Sequence, residues 1–170
     1  MSRTGALGKR AARHHDGLMP DSTERRSTEF PTFDLADPAS YRFWSTDIMR
    51  WGDTDGLGHI NNVQFMRFCE SGRIAFLGAC GSGIVLPADD FMIVHMAIDF
   101  RAQMHYPGEV NVGTRVMHIG RTSMRVGQGL FQNGVCTATA EEVLVKVDPE
   151  TQRPAPLPKE LRDRLSNPPE

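Results

Sequence analysis

The residues that could do chemistry are concentrated in one short stretch, in which two carboxylates, an imidazole and two carboxamides fall within ten positions. They are Asp53, Asp55, His59, Asn61 and Asn62. An ionised carboxylate at such a place can attack an acyl carbon or activate a water for that attack. Gly56 and Gly58 interrupt the stretch, which has no extended apolar pattern, so residues 53–61 are predicted to form a loop.

Two elements must hold this loop. The preceding residues 41–51 are rich in aromatic and β-prone side chains and predict a strand. The following residues 62–77 predict a long helix, with Asn61 as a suitable N-cap and Gly78 as its C-terminal stop. An apolar stripe follows the spacing of one helix face and comprises Phe65, Phe68, Cys69, Gly72 and Phe76.

Asp55 is the leading catalytic candidate among the loop residues. It precedes the helix N-terminus, where unpaired N–H groups and the helix dipole favour negative charge. Its alternative role is to cap the loop without doing chemistry. Asp53 is a rival, because two acids this close can share a proton, but we expect it to end the strand or to hold the loop by hydrogen bonds. A calcium loop is rejected, since the third acid and the final Glu of that pattern are absent.

Four strands are predicted after the helix, over residues 91–101, 110–119, 123–132 and 135–148. The pair Asn133-Gly134 is a strong signal for a two-residue hairpin turn between the last two. Short connections make neighbouring strands antiparallel. Five such strands can bury so apolar a helix only by curling around it. We therefore expect an α+β fold, with a five-stranded antiparallel sheet wrapped around one long central helix.

The composition and the two ends of the chain limit the remaining possibilities. A net charge of −2 gives no basic field for nucleic acid or anionic lipid, and no apolar run approaches the length of a membrane span. Three cysteines without paired spacing predict reduced thiols in a cytoplasmic protein, with no zinc site. Residues 1–40 predict a disordered tail, residues 41–150 one domain, and residues 151–170 a Pro-rich tail with a short helix.

A family resemblance rests on the stretch 50–73, which reads RWGDTDGLGHINNVQFMRFCESGR. At a strand–loop–helix junction, this pattern resembles the opening signature of the hotdog-fold acyl-CoA thioesterases, in the branch of 4-hydroxybenzoyl-CoA thioesterase. The likeness extends over residues 41–150. It implies the hotdog fold, assembled as a homodimer or homotetramer with sites at the subunit interface. Phe65 and Phe68 stand where the family motif often has Tyr, a difference that bears on the acyl pocket.

The resemblance also implies roles for individual residues. The acid of its D-x-x-G motif, here Asp55, acts as nucleophile or general base, and the backbone N–H of Asn62 polarises the thioester carbonyl. Such an oxyanion donor typically lowers a barrier by ~3 kcal/mol. Some members carry their carboxylate on the helix, so Glu70 is the backup catalytic acid, although its spacing to Arg73 first predicts a structural ion pair. His59 stays open between orienting substrate or water and bonding within the loop.

The implied substrate is an acyl-CoA, hydrolysed to a free acid and CoA without a metal or redox cofactor. Its phosphates need cations, and Arg121 is the first candidate, followed by Arg125 and Arg101, each of which is also explained as an ordinary surface arginine. Two alternatives are a non-catalytic acyl-CoA-binding module and a hotdog hydratase or dehydratase, whose usual Asp-x-Asn-Pro-x-His type of motif is absent. The predicted acyl pocket is lined by Phe65, Phe68, Met92 and Met96.

Overall fold

A computed structural model describes residues 33–81 and 91–168, and the predicted disorder of residues 1–32 lies outside them. The helices are α1 (Asn62–Cys80) and α2 (Lys159–Ser166), with short 3₁₀ turns at Pro38–Ser40 and Trp51–Asp53. Five strands form one antiparallel sheet in the order β1-β3-β4-β5-β2. They are β1 (Phe43–Ile48), β2 (Phe91–Phe100), β3 (Glu109–Ile119), β4 (Ser123–Gln132) and β5 (Val135–Lys146). The predicted hotdog architecture is confirmed.

The central helix lies against the sheet through the predicted stripe, all of which is buried. Gly72 permits this close approach, because a Cβ there would lie 2.6 Å from Cγ1 of Val112 on β3. The helix ends at Cys80 rather than at residue 77, so Gly78 does not stop it. Cys80 is buried against the same core as Leu77, and this packing outweighs the weak helix propensity of glycine.

A buried ion pair joins α1 to β5. Nη1 of Arg73 lies 2.8 Å from both carboxylate oxygens of Glu142, which is fully buried. The predicted pair between Glu70 and Arg73 is therefore wrong, and Glu70 is exposed. A buried carboxylate that lacks a cation is strongly destabilising, whereas the exposed Glu70 is solvated by water and needs no partner. Arg73 therefore pairs with Glu142 of the sheet. Burial raises the pKa of Glu142, and the guanidinium of Arg73 opposes that rise.

Both ends of the described chain pack onto the sheet. Leu35 is buried with Tyr41 and Phe131 on the face that points away from α1, so the fold already includes residues 33–40, which were assigned to the tail. Leu157 and Leu165, from the segment predicted to be a C-terminal tail, are buried in the same core group as the end of α1. These segments contain few apolar side chains, but the burial of those side chains offsets the conformational entropy that is lost when the two segments are ordered.

Candidate functional site

The predicted loop is tied at both ends to the connection between β2 and β3. Met49 N donates to Gly108 O at 3.0 Å just after β1, and Ile60 N donates to Met104 O at 2.9 Å just before α1. A bridge between Thr54 and Ile60 closes the loop on itself. The loop is therefore a short hairpin with a fixed position at one end of the sheet.

Asp53 holds this hairpin from within. Its side chain is only 5% exposed, and its Oδ2 accepts from Arg50 N at 2.7 Å. Its carbonyl oxygen accepts from Asn61 N at 2.8 Å, which brings the start of the loop against the start of α1. These bonds give Asp53 the structural role that was expected of it.

Asp55 is half-buried at the turn of the hairpin. Its Oδ1 accepts from Leu57 N at 2.8 Å and from His59 N at 3.2 Å, while its own N–H donates to His59 O at 2.8 Å. These hydrogen bonds, that of Leu57 first, hold the pKa of Asp55 below its ordinary value. The carboxylate is thus ionised at neutral pH, and the hydrogen bonds from Leu57 and His59 both fall on Oδ1.

A second histidine stands beside His59 and escaped sequence analysis. The ring of His105 meets that of His59 edge-on, with centroids 5.1 Å apart. Gln132 fixes the backbone of His105 by accepting from its N–H at 3.0 Å and donating to its carbonyl at 2.7 Å. No local signal could have found His105, because it follows β2 and lies 46 positions after His59.

The N-terminus of α1 presents one free backbone donor. Asn61 is the predicted N-cap, since its side chain accepts from Val63 N at 3.0 Å and its carbonyl from Gln64 N at 2.9 Å. Asn62 is the first residue of the helix, and its backbone N–H has no hydrogen-bond acceptor among the described residues. The hairpin thus joins an ionised carboxylate to an unpaired helical N–H, two groups that suit the carbonyl carbon and oxygen of an acyl group.

Glu70 is not part of this hairpin. It is exposed, about two helical turns beyond Asn62, and so about 12 Å further along α1. It lines a separate cleft of about 270 Å³ between β1, the 3₁₀ turn and α1. The other lining residues are Asp47, Arg50, Asp53, Gln64, Arg67, Phe68 and Ser71.

Two of the three predicted phosphate-binding arginines do not reach the hairpin within one chain. β3 begins beside the hairpin at Glu109 and ends beside Arg121, and ten residues of strand span about 33 Å. Arg125 forms an ion pair with Glu141, and Nε of Arg101 donates to the Thr139 hydroxyl at 3.3 Å. Any role of Arg121 or Arg125 near Asp55 therefore requires a second chain, whereas Arg101 lies in the connection that is bonded to the hairpin.

The predicted pocket residues are split between the core and the surface. Phe65 and Phe68 are buried, and Met96 packs against the same core, whereas Met92 is exposed on β2. Phe65 also contacts the ring of Phe100 edge-on at 5.2 Å between centroids. In the described ranges, no three His, Cys, Asp or Glu side chains are grouped to hold a metal ion, and neither α1 nor α2 is long and apolar enough to cross a membrane.

Comparison with known proteins gives a family match over most of the chain. A model described as the thioesterase-like superfamily matches residues 49–165. A 1,4-dihydroxy-2-naphthoyl-CoA hydrolase of Synechococcus elongatus is 27% identical over 75% of this chain and 96% of that protein.

Solved structures agree in fold. A predicted thioesterase of Bacillus stearothermophilus is 32% identical, with a TM-score of 0.68, over 73% of this chain and 93% of that one. A thioesterase of Thermus thermophilus, complexed with coenzyme A and Zn, is 30% identical with a TM-score of 0.66 over 74% and 92%. The fold, the sequence of residues 50–73 and these similar proteins therefore all indicate the same family.

Proposed function

The chain belongs to the thioesterase-like superfamily, a family of thioester hydrolases, and on that premise we propose that it hydrolyses acyl-CoA to a free acid and CoA. The proposal rests on the hairpin, which holds an ionised Asp55 by hydrogen bonds in the loop that leads into the N-terminus of α1. A thioester needs these two groups, a nucleophile or base at its carbon and a donor at its oxygen.

Asp55 acts on the thioester carbon by one of two routes. In the direct route, Oδ2 bonds to the carbonyl carbon, the C–S bond breaks, and the CoA thiolate leaves and takes a proton from solvent. Water then cleaves the resulting mixed anhydride and regenerates the carboxylate. In the other route, Asp55 takes a proton from a water, the hydroxide adds to the same carbon, and the C–S bond breaks as the leaving thiolate takes the proton back from Asp55. Both routes need Asp55 ionised, as its lowered pKa provides.

The free N–H of Asn62 stabilises the negative charge that develops on the carbonyl oxygen. The donor is a backbone group and its side chain takes no part, so substitution of Asn62 by another helix-compatible residue retains it. A donor of this kind supplies ~3 kcal/mol of transition-state stabilisation. His59, supported by the ring of His105, orients the substrate or the attacking water next to Asp55.

An aromatic acyl-CoA is the first substrate to test. The curated relative hydrolyses 1,4-dihydroxy-2-naphthoyl-CoA by its name, and aromatic rings are available here at the edge-on pair of Phe65 and Phe100. Phe65 and Phe68 offer no hydroxyl in this region, so the acyl group is held by apolar contact.

The functional unit is at least a dimer, formed through β2. This strand is the sheet edge beyond β5, is ten residues long and has no proline. It exposes several large apolar side chains, which a stable monomer avoids at an open edge. They are Met92, Ile93, Val94 and Phe100. Pairing of two β2 edges would close the sheet of each chain and bring a second chain, with its own arginines such as Arg121, to the site.

A thiol-release assay tests the proposed function. Wild-type protein is incubated with short-chain, long-chain and aromatic acyl-CoA, and free CoA is measured with a thiol reagent. We expect release from at least one class, with an aromatic substrate preferred. A non-catalytic binding module would release no CoA from any of them, and a hydratase would change the acyl group while leaving the thioester intact. Either result would overturn the proposal.

A further inference from the structure

A second, larger cleft lies at the opposite edge of the sheet from β2. β1 begins opposite Thr114, so the last residues of β3, from Arg115 to Ile119, pair with β4 on one side but have no described strand on the side of β1. The segment before β1 and helix α2 bound the space that remains, which is about 820 Å³. It is lined by Ala39, Ser40, Arg42, Phe43, Thr114, Arg115, Val116, Met117, His118, Ile119, Arg162, Leu165, Ser166 and Pro168.

The charge of this cleft is one-sided. Three arginines and one histidine line it, and none of its described lining residues is a carboxylate, although the whole chain has a net charge of −2. Arg42 and Arg115 lie near Ser40 at one end, and His118 and Arg162 lie near Gly120 at the other. Arg115 and His118 are three positions apart, which is about 10 Å of strand, and both line the same elongated cleft.

Arg115 is partly buried and has one polar atom without a partner. Its Nη1 donates to Ser40 O at 2.7 Å, and the ring of Phe33 covers its guanidinium at 3.2 Å from the centroid. Its Nε is buried and has no acceptor in the described structure. Burial lowers the pKa of Arg115, the nearby Tyr41 opposes that change, and the neighbouring Arg42 lowers the pKa again, so burying this guanidinium beside a like charge carries an electrostatic cost. An anion in the cleft would remove that cost.

We propose that this cleft is a binding site for a small anion that carries phosphate or diphosphate groups. Guanidinium groups bind phosphate oxygens through paired, charge-assisted hydrogen bonds, and the volume is that of a small-molecule site. The site is distinct from the hairpin of Asp55, which lies at the far end of β3. Two sources of the same chemistry are a free phosphorylated metabolite and the nucleotide phosphates of a CoA molecule.

Calorimetric titration of the full-length protein with inorganic pyrophosphate tests the site. Arg42 is the residue to change, because it is exposed and no described side chain depends on it for a hydrogen bond. We expect Arg42→Gln to weaken binding roughly tenfold or more, and Arg42→Lys, which keeps the charge, to weaken it about threefold. Arg153→Gln is the matched control, since Arg153 is an exposed arginine outside the cleft, and it should change affinity less than twofold.

Two results would overturn the proposal: no pyrophosphate binding by the wild-type protein, or equal affinity in Arg42→Gln and Arg153→Gln. Circular dichroism of each variant shows that its fold is intact. The KM for acyl-CoA then identifies the source of the phosphate. An unchanged KM in Arg42→Gln assigns the cleft to a free metabolite, and a raised KM with unchanged kcat assigns it to the nucleotide of CoA. Pyrophosphate binding is measured without substrate, so it stands or falls separately from the hydrolase activity.

Discussion

Asp53 and Asp55 show how two carboxylates of the same loop acquire different roles. Asp53 is almost fully buried, and its oxygens join the end of β1 to the start of α1. Asp55 is half-exposed, and two backbone N–H groups stabilise its charge through a single oxygen. The two residues are of the same type and lie in the same loop, so their different roles come from their different hydrogen-bond partners.

The pH dependence of hydrolysis follows from the lowered pKa of Asp55. Because the ionised form is the active one, kcat/KM rises as pH increases through that pKa and is then constant. The acid limb should therefore lie below about pH 4, the ordinary range of an aspartate, and the rate should be flat from roughly pH 5 to 8. Steady-state kinetics in buffers of constant ionic strength measure the profile. An acid limb above the ordinary range of an aspartate would instead assign the essential ionisation to a group other than Asp55.

Residue roles were predictable where they depend on neighbours in sequence. The cap by Asn61 and the loop-holding role of Asp53 follow from residue type and position. The pair between Glu70 and Arg73 was predicted from spacing and is wrong, because Arg73 is drawn to a buried carboxylate 69 positions later. His105 was missed for the same reason, since its proximity to His59 depends on how β2 returns to the loop.

The close approach of α1 to the sheet makes a prediction at the element scale. Gly72→Ala places a methyl group 2.6 Å from Val112, so the helix must move or the side chain must shift. Overpacking of this kind costs about 1–3 kcal/mol, which exceeds the ~1 kcal/mol that alanine contributes to helix propensity. We expect a net loss of up to about 2 kcal/mol in the free energy of unfolding, measured by urea denaturation.

Gly78→Ala is the control for that substitution. It lies in the same helix, and a Cβ there meets nothing within 4 Å, so only the propensity gain of roughly 0.5–1 kcal/mol remains. Equal effects of the two substitutions would show that the contact between α1 and β3 is not tight.

The ion pair between α1 and β5 makes a second prediction at this scale. Glu142→Ala leaves the guanidinium of Arg73 buried without its partner, which typically costs about 3–5 kcal/mol. Glu141→Ala, one position earlier, removes a carboxylate that pairs with Arg125 at the surface and should cost about 0–1 kcal/mol. Urea denaturation of both variants gives the comparison. A Glu142→Ala variant as stable as Glu141→Ala would contradict the buried pairing.

The order of the elements was predictable from the sequence, whereas the ends of the fold were not. Alternation, turn residues and the long apolar stripe each give a local signal, and together they allow few arrangements other than a sheet wrapped on a helix. The extension of α1 to Cys80 and the packing of Leu35 and Leu165 give no such signal. Single apolar residues in polar segments are common, and only the finished sheet provides surfaces on which these three are buried.

At the scale of the whole molecule, the two edges of the sheet differ in character. The β2 edge is long and apolar, and the β1 edge is cut short beside a basic cleft. The first suits another copy of the chain, and the second suits an anion. The proposed dimer edge and the proposed anion cleft are therefore separated by the full width of the sheet, with the Asp55 hairpin at one end of the strands.

The proposed dimer predicts that a charge on β2 separates the subunits. Val94 is 61% exposed, so Val94→Lys places an ammonium in the paired edge without disturbing the core of the chain. We expect a monomer by light scattering and a fall of at least tenfold in kcat/KM, because we propose that the site is completed by the second chain. Val135→Lys is the control, since Val135 is 56% exposed at the start of β5, away from β2. A Val94→Lys protein that remains dimeric, or a wild-type monomer, would refute assembly through β2.

The central claim, that Asp55 performs the hydrolysis, is tested most directly by the kinetics of Asp55→Asn. Asparagine keeps an oxygen for the N–H groups of Leu57 and His59, so the hairpin is preserved while the negative charge is removed. The account predicts that kcat for thiol release falls by about 10²–10⁴-fold, with KM and the thermal unfolding midpoint nearly unchanged. A kcat within fivefold of the wild-type value, in a variant that binds substrate normally, would contradict it.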